Sequence, residues 1–154
     1  MKRCIRSLRL YRLAAWLFEA YRLIAKPSTQ GALVALWHQG QVLLVQASYR
    51  SELSLPRGWL NRSETPRVAA LRELIEELSL HVDDRELGEP WSFTESSARG
   101  VNTVSIFSVK LVKRPVLKLD GLEILDCVWL SRTEALSHPI TAHLRAYLLE
   151  QPKR

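Results

Sequence analysis

The sequence predicts one α/β domain: a mixed β-sheet with helices on both faces. Three observations predict it. The 154 residues are 47% hydrophobic and 25% charged, as in an ordinary globular domain. Short apolar runs bounded by turn residues alternate with stretches of helical period. The first strands arrive as a hairpin, which argues against a doubly wound parallel sheet.

Residues 1–27 read as a basic amphipathic N-terminal helix or arm, and residues 28–154 as the domain proper. Leu10, Leu13, Ala14, Leu17, Phe18 and Tyr21 recur at helical spacing, and Pro27 ends the segment. Residues 1–26 carry seven basic residues against Glu19 alone, which is the whole formal charge of +6. Residues 27–154 carry fifteen basic and fifteen acidic residues, so the body has no net reason to seek nucleic acid. Three readings of the arm stay open. It packs on its own domain, it docks peripherally on anionic lipid or a partner, or it is a cleaved or disordered leader. A membrane span needs about 20 apolar residues. The run from Leu13 to Ala25 is 13 long and contains Glu19 and Arg22. Those charges, and the lack of a small-residue cleavage site, also argue against a signal peptide. Cys4 and Cys127 make neither a disulfide framework nor a zinc site, and fit a reducing, cytoplasmic setting.

In the body, Ala32 to Trp37 reads as a strand, His38 to Gln41 as a turn, and Val42 to Val45 as the return strand. Residues 48–63 read as a long loop. Thr65 caps the helix that follows, with Pro66 in its first turn. Val68, Leu71, Leu74, Ile75 and Leu78 form its expected apolar stripe. Strand-like runs return at Trp91 to Phe93, Val101 to Val112 and Asp126 to Leu130. A short helix over 131–136 and a last helix over 139–150 complete the chain.

The central helix carries the chemistry. At about 100° per residue from Val68, Glu76, Glu73 and Glu77 fall at about 80°, 140° and 180°, opposite that stripe. Like charges at i,i+3 and i,i+4 repel, and no lysine is interleaved among these three. A solvated acidic face is one reading. Hard oxygens clustered on a rigid helix are also what Mg²⁺ or Mn²⁺ binds.

Gly58, five residues, Glu64, seven residues and then Arg72-Glu73-Leu74-Ile75-Glu76-Glu77-Leu78-Ser79-Leu80 resembles the Nudix box, at eight of its nine specified positions. Leu55-Pro56-Arg57-Gly58 is similar to the family's Leu-Pro-Gly-Gly entry to the box. The segment from Glu123 to Trp129 is similar to one that follows the box in many members. Two positions depart. Ser79 stands where the box has glycine, where a left-handed residue costs a non-glycine roughly 1 kcal/mol. Arg57 replaces the first glycine of the entry, either to reach a substrate phosphate or to sit on the surface.

The resemblance implies a Nudix-like α/β/α sandwich and a metal-dependent hydrolase. Its substrate would be a nucleoside diphosphate linked to another moiety. The alternative is a non-catalytic module on the same fold, binding a nucleotide or a partner. The resemblance implies Glu73, Glu76, Glu77 and the Gly58 carbonyl as Mg²⁺ or Mn²⁺ ligands. It also implies that Arg72 holds a box carboxylate in place and that Glu64 braces the loop. Glu123 is the first choice for general base or distal ligand, and Glu95 the second. Pro90, Trp91, Phe93 and Ser96 partly match a motif of NADH pyrophosphatases, but the stretch reads first as a strand. The oligomeric state stays open, a homodimer included.

Overall fold

The computed structural model describes residues 28–97 and 100–150. The expected N-terminal arm lies outside the described residues. In chain order the elements are β1 (Ser28–His38), β2 (Gln41–Ala47), β3 (Leu53–Ser54), β4 (Arg57–Trp59), α1 (Pro66–Leu78), β5 (Trp91–Ser97), β6 (Gly100–Lys110), β7 (Ile124–Ser131), α2 (Arg132–Ser137) and α3 (Ala142–Glu150), with a 3₁₀ turn at Asp84–Glu86 between α1 and β5.

The expected hairpin is present. Gln39 and Gly40 both take positive φ, 47° and 77°, the backbone that matches strand twist in a two-residue turn. Trp37 faces Val42, and His38 faces Gln41. Beyond this end β1 and β2 take different partners. β4 lies antiparallel on β1 from Gly31 to Leu33, and β3 on β2 at Val45 and Gln46. Residues 48–63 are therefore not all loop. The strands are two and three residues long, too short to leave a periodic signal in the sequence.

β6 runs parallel to β1 from Ser28 to Trp37, β5 is antiparallel to β6, and β7 is antiparallel to β2. The seven-stranded sheet is mixed, as expected. Successive residues of β1 point to opposite faces. Ala32, Val34 and Leu36 pack with Ala70, Leu74 and Leu78 of α1. Leu33 and Ala35 pack with Leu144, Tyr147 and Leu148 of α3. The layers are α1, sheet, then α2 and α3. Among the described residues no helix is long and apolar enough to cross a membrane.

The start of α1 follows expectation: Thr65 Oγ1 accepts from the Val68 amide at 3.3 Å, and Pro66 opens the first turn. Its end does too. Ser79 is left-handed (φ 52°, ψ 35°), and the Ser79 and Leu80 amides donate back to Ile75 and Leu74. That is the glycine-type helix stop made by a serine.

The phase of α1 differs from expectation. Its buried residues are Ala69, Ala70, Glu73, Leu74, Glu77 and Leu78, while Val68 and Ile75 are 54% and 43% exposed. Two of the three carboxylates thus lie on the inward face, and only Glu76 faces solvent. The cause is the β3–β4 segment. The Arg57 amide donates to Glu77 Oε2 at 3.0 Å, so backbone covers the arc that the hydrophobic pattern alone leaves to water.

Candidate functional site

The site forms where three stretches distant in sequence meet: β4, the middle of α1, and the segment that leads into β7. The Lys118 and Asp120 amides donate to the carbonyls of Leu78 and Glu77, tying that segment to the end of α1. The Asp120 carboxylate accepts from the amides of Leu122, Glu123 and Ile124, which shapes the turn carrying Glu123.

Gly58 faces Glu73 so closely that a Cβ at this position would fall 1.6 Å from Glu73 Oε1. Any side chain there displaces the Glu73 carboxylate, so the glycine is required by close approach. Glu73 is 9% exposed and Glu77 3%. Burial pushes the Glu77 carboxyl up to about 9; the Arg57 amide works against this, and Glu123 and Glu73 add to it. Burial also raises Glu73, with Glu76 and Glu123 adding and Arg72 opposing. Desolvation is the largest cause at both carboxyls and outweighs the donors that oppose it.

Arg72 organises the outer part of the site. It grips both oxygens of Glu64, at 2.9 and 3.0 Å, and donates to the Trp59 carbonyl at 3.0 Å. It also reaches Glu73 Oε1, and Glu76 Oε2 at 2.9 Å. The grip of Arg72 holds the Glu64 carboxyl below its ordinary range, with the Asn61 amide helping. Glu64 thus joins the loop to the helix.

A pocket opens beside these groups, lined by Tyr49, Arg57, Gly58, Trp59 and Glu123 among others. Tyr49 Oη donates to Glu123 Oε1 at 3.2 Å and accepts from Arg57 at 3.3 Å. Arg57 therefore faces the pocket, half-buried, and does not simply lie on the surface. Tyr49 carries no signal in the sequence, standing in the irregular stretch after β2. Only the return of the chain through β3 and β4 brings it to the site. Glu95 does not join the cluster. It is exposed on β5, opposite Asn102, two strands away from β1.

The donor set is hard oxygen throughout, the chemistry that suits Mg²⁺ or Mn²⁺. Among the described residues no three His, Cys, Asp or Glu side chains converge as a formed metal cluster. Arg72 accounts for this by drawing Glu73 and Glu76 to itself. The residues fit a divalent ion by donor type, by mutual repulsion and by the close approach of Glu73 to the Gly58 backbone.

Comparison with known proteins places this geometry in a family. The model of the NUDIX domain matches residues 27–151. The methanol dehydrogenase activator of Bacillus methanolicus is 30% identical over 116 residues, covering 70% of this chain and 60% of that protein. The chain thus spans about three-fifths of the length of that relative. A MutT NUDIX hydrolase from Burkholderia pseudomallei superposes with a TM-score of 0.71 at 17% identity, over 82% of this chain and 99% of that one. A bifunctional NMN adenylyltransferase/ADP ribose pyrophosphatase from Francisella tularensis, complexed with AMP and a manganese ion, gives 0.65 at 20% identity, over 96% of this chain and 45% of that one. At such identities the structural likeness speaks for the fold. The family match covers the sheet, the three helices among the described residues and the whole carboxylate site, and this chain belongs to the Nudix family.

Proposed function

We propose that this protein is a metal-dependent hydrolase that cleaves the pyrophosphate linkage of a nucleoside diphosphate joined to another moiety. One observation carries the reading: Glu77, nearly fully buried, sits among the like charges of Glu73 and Glu123. A buried carboxylate cluster is costly unless a cation compensates it. Support for metal and substrate class also comes from the Francisella tularensis structure, an ADP ribose pyrophosphatase complexed with AMP and a manganese ion.

Glu73, Glu76 and Glu77 would hold Mg²⁺ or Mn²⁺, with the Gly58 carbonyl as a further ligand. An ion held there would supply charge to neutralise pyrophosphate oxygens and to lower the pKa of the attacking water. Arg72 stays charged and orients Glu73 and Glu76 for that task. Glu123, aimed by Tyr49, receives the proton of the attacking water. Arg57 fixes Glu77 through its amide.

The test is a panel of nucleoside diphosphate derivatives with Mg²⁺ or Mn²⁺ and identified products. Glu77→Gln lowers turnover at least about a hundredfold, the scale of losing one electrostatic element of an active site, while the far-ultraviolet circular dichroism stays unchanged. A folded Glu77→Gln protein that turns over like the wild type refutes the proposal.

The relative whose name is that of an activator favours a second reading, a non-catalytic module acting on a partner. Metal binding without hydrolysis of any substrate in the panel would select it.

A further inference from the structure

The two arginines of the site stand in opposite situations. Arg72 is saturated: three carboxylates and one carbonyl share its guanidinium. Arg57 is half-buried on the pocket wall, and its guanidinium makes one hydrogen bond among the described residues, to Tyr49 Oη at 3.3 Å. Among those residues no carboxylate lies within ion-pair distance of it. A guanidinium has five N–H donors, so most of the fork meets no acceptor among the described residues.

Glu123 stands close by, yet Tyr49 keeps the two apart. Its hydroxyl accepts from Arg57 and donates to Glu123 Oε1 at 3.2 Å. A direct Arg57–Glu123 pair would neutralise both groups and consume the fork. The hydroxyl between them leaves Arg57 with donors facing the pocket. Arg57 leaves β4 on the face opposite Gly58 and Glu73, and Tyr49 links it to Glu123, which lies within electrostatic reach of Glu73 and Glu77. A planar fork on the wall of a pocket that also holds Glu123, within electrostatic reach of Glu77, matches the oxygens of a phosphate adjoining the one handled at the carboxylates.

We propose that Arg57, braced by Tyr49, grips a second phosphate of the substrate and selects ligands with two contiguous phosphates over those with one. The inference rests on the hydrolase reading for the nature of the ligand, but its test needs no turnover. The probes are inorganic pyrophosphate and orthophosphate, titrated calorimetrically into the full chain with Mg²⁺ present.

Wild-type protein binds pyrophosphate more tightly than orthophosphate. Arg57→Gln weakens pyrophosphate at least about tenfold, the scale of lost charge-assisted hydrogen bonds, and narrows its preference over orthophosphate. Arg57→Lys keeps the charge without the fork and falls between the two. Tyr49→Phe, which frees Arg57 to collapse onto Glu123, shifts affinity the same way by less. Arg57→Gln binding pyrophosphate like the wild type overturns the inference, and so does a wild type without preference for pyrophosphate. Should Arg57→Gln fail to fold, wild-type affinity in both Arg57→Lys and Tyr49→Phe overturns it. Pyrophosphate held through Arg57 by a protein that hydrolyses nothing upholds the inference and sinks the hydrolase reading instead. Hydrolysis with pyrophosphate affinity indifferent to Arg57 does the reverse.

Discussion

His143 shows how the core constrains one side chain far in sequence from the box. It is 6% exposed, and its Nε2 lies 3.0 Å from Thr141 Oγ1. Burial pulls its pKa down to about 3, and the nearby Arg57 and Arg50 add to the fall. An unfolded histidine titrates near 6.5, at roughly the ordinary value. Above that pH both states are neutral and His143 gives no slope. Between about 6.5 and 3 the unfolded chain binds a proton that the folded one refuses, so its contribution falls as pH falls. Glu77 acts oppositely in metal-free protein, because its folded carboxyl is raised to about 9 and takes the proton first. The wild-type curve alone therefore mixes two signs, and the informative quantity is a difference. His143→Gln is less stable than wild type at pH 7, and by pH 5 the gap shifts in the variant's favour by about 2 kcal/mol. Urea denaturation at the two pH values reads it. A gap that does not move would show that His143 titrates normally in the folded protein.

At the scale of the element, α1 shows where the sequence can be read and where it cannot. Its cap at Thr65, its proline start and its left-handed stop at Ser79 are local backbone chemistry, visible in the residues themselves. The spacing of Gly58, Glu64, Arg72, Glu73, Glu76 and Glu77 was legible for the same reason: a motif is a local pattern. The rotational phase was not. Val68, Leu71 and Ile75 pull the apparent apolar face toward themselves, yet Val68 and Ile75 are exposed while Glu73 and Glu77 are buried. A wheel weighs only hydrophobicity, whereas the buried face here is set by a polar backbone segment packed on two carboxylates. Tyr49 and the short strands β3 and β4 escaped for a related reason, since long-range pairing defines them. The observed phase makes a prediction. Ile75→Gln changes stability by no more than about 0.5 kcal/mol, as for a surface position. Leu74→Ala, at a side chain with 0% exposure, costs about 2–5 kcal/mol. Comparable losses in the two variants would place the buried face where the hydrophobic pattern alone puts it.

On the scale of the whole molecule, the candidate site is also a junction. Residues 57–58, 73–77 and 120–123 arrive from three parts of the chain and bring the carboxyls of Glu73, Glu77 and Glu123 within electrostatic reach of one another. Hydrogen bonds from Arg57 to Glu77, and from Lys118 and Asp120 to the end of α1, close the junction. The like charges oppose it. A divalent ion that binds only this folded arrangement would stabilise the entire domain, by about 2.7 kcal/mol at a hundredfold excess over its dissociation constant. For a domain of this size that is a rise in melting temperature of about 5–10 °C. The same logic fixes the behaviour of Glu77→Gln. Without metal it loses a buried, poorly compensated acid and melts above the wild type. With Mg²⁺ or Mn²⁺ it gains little, and the order of the two proteins reverses. Calorimetric melts of both, in chelator and in metal, give four temperatures that must cross in this way. A wild-type melting temperature indifferent to either ion would mean that the acidic junction is held by Arg72 and backbone amides alone.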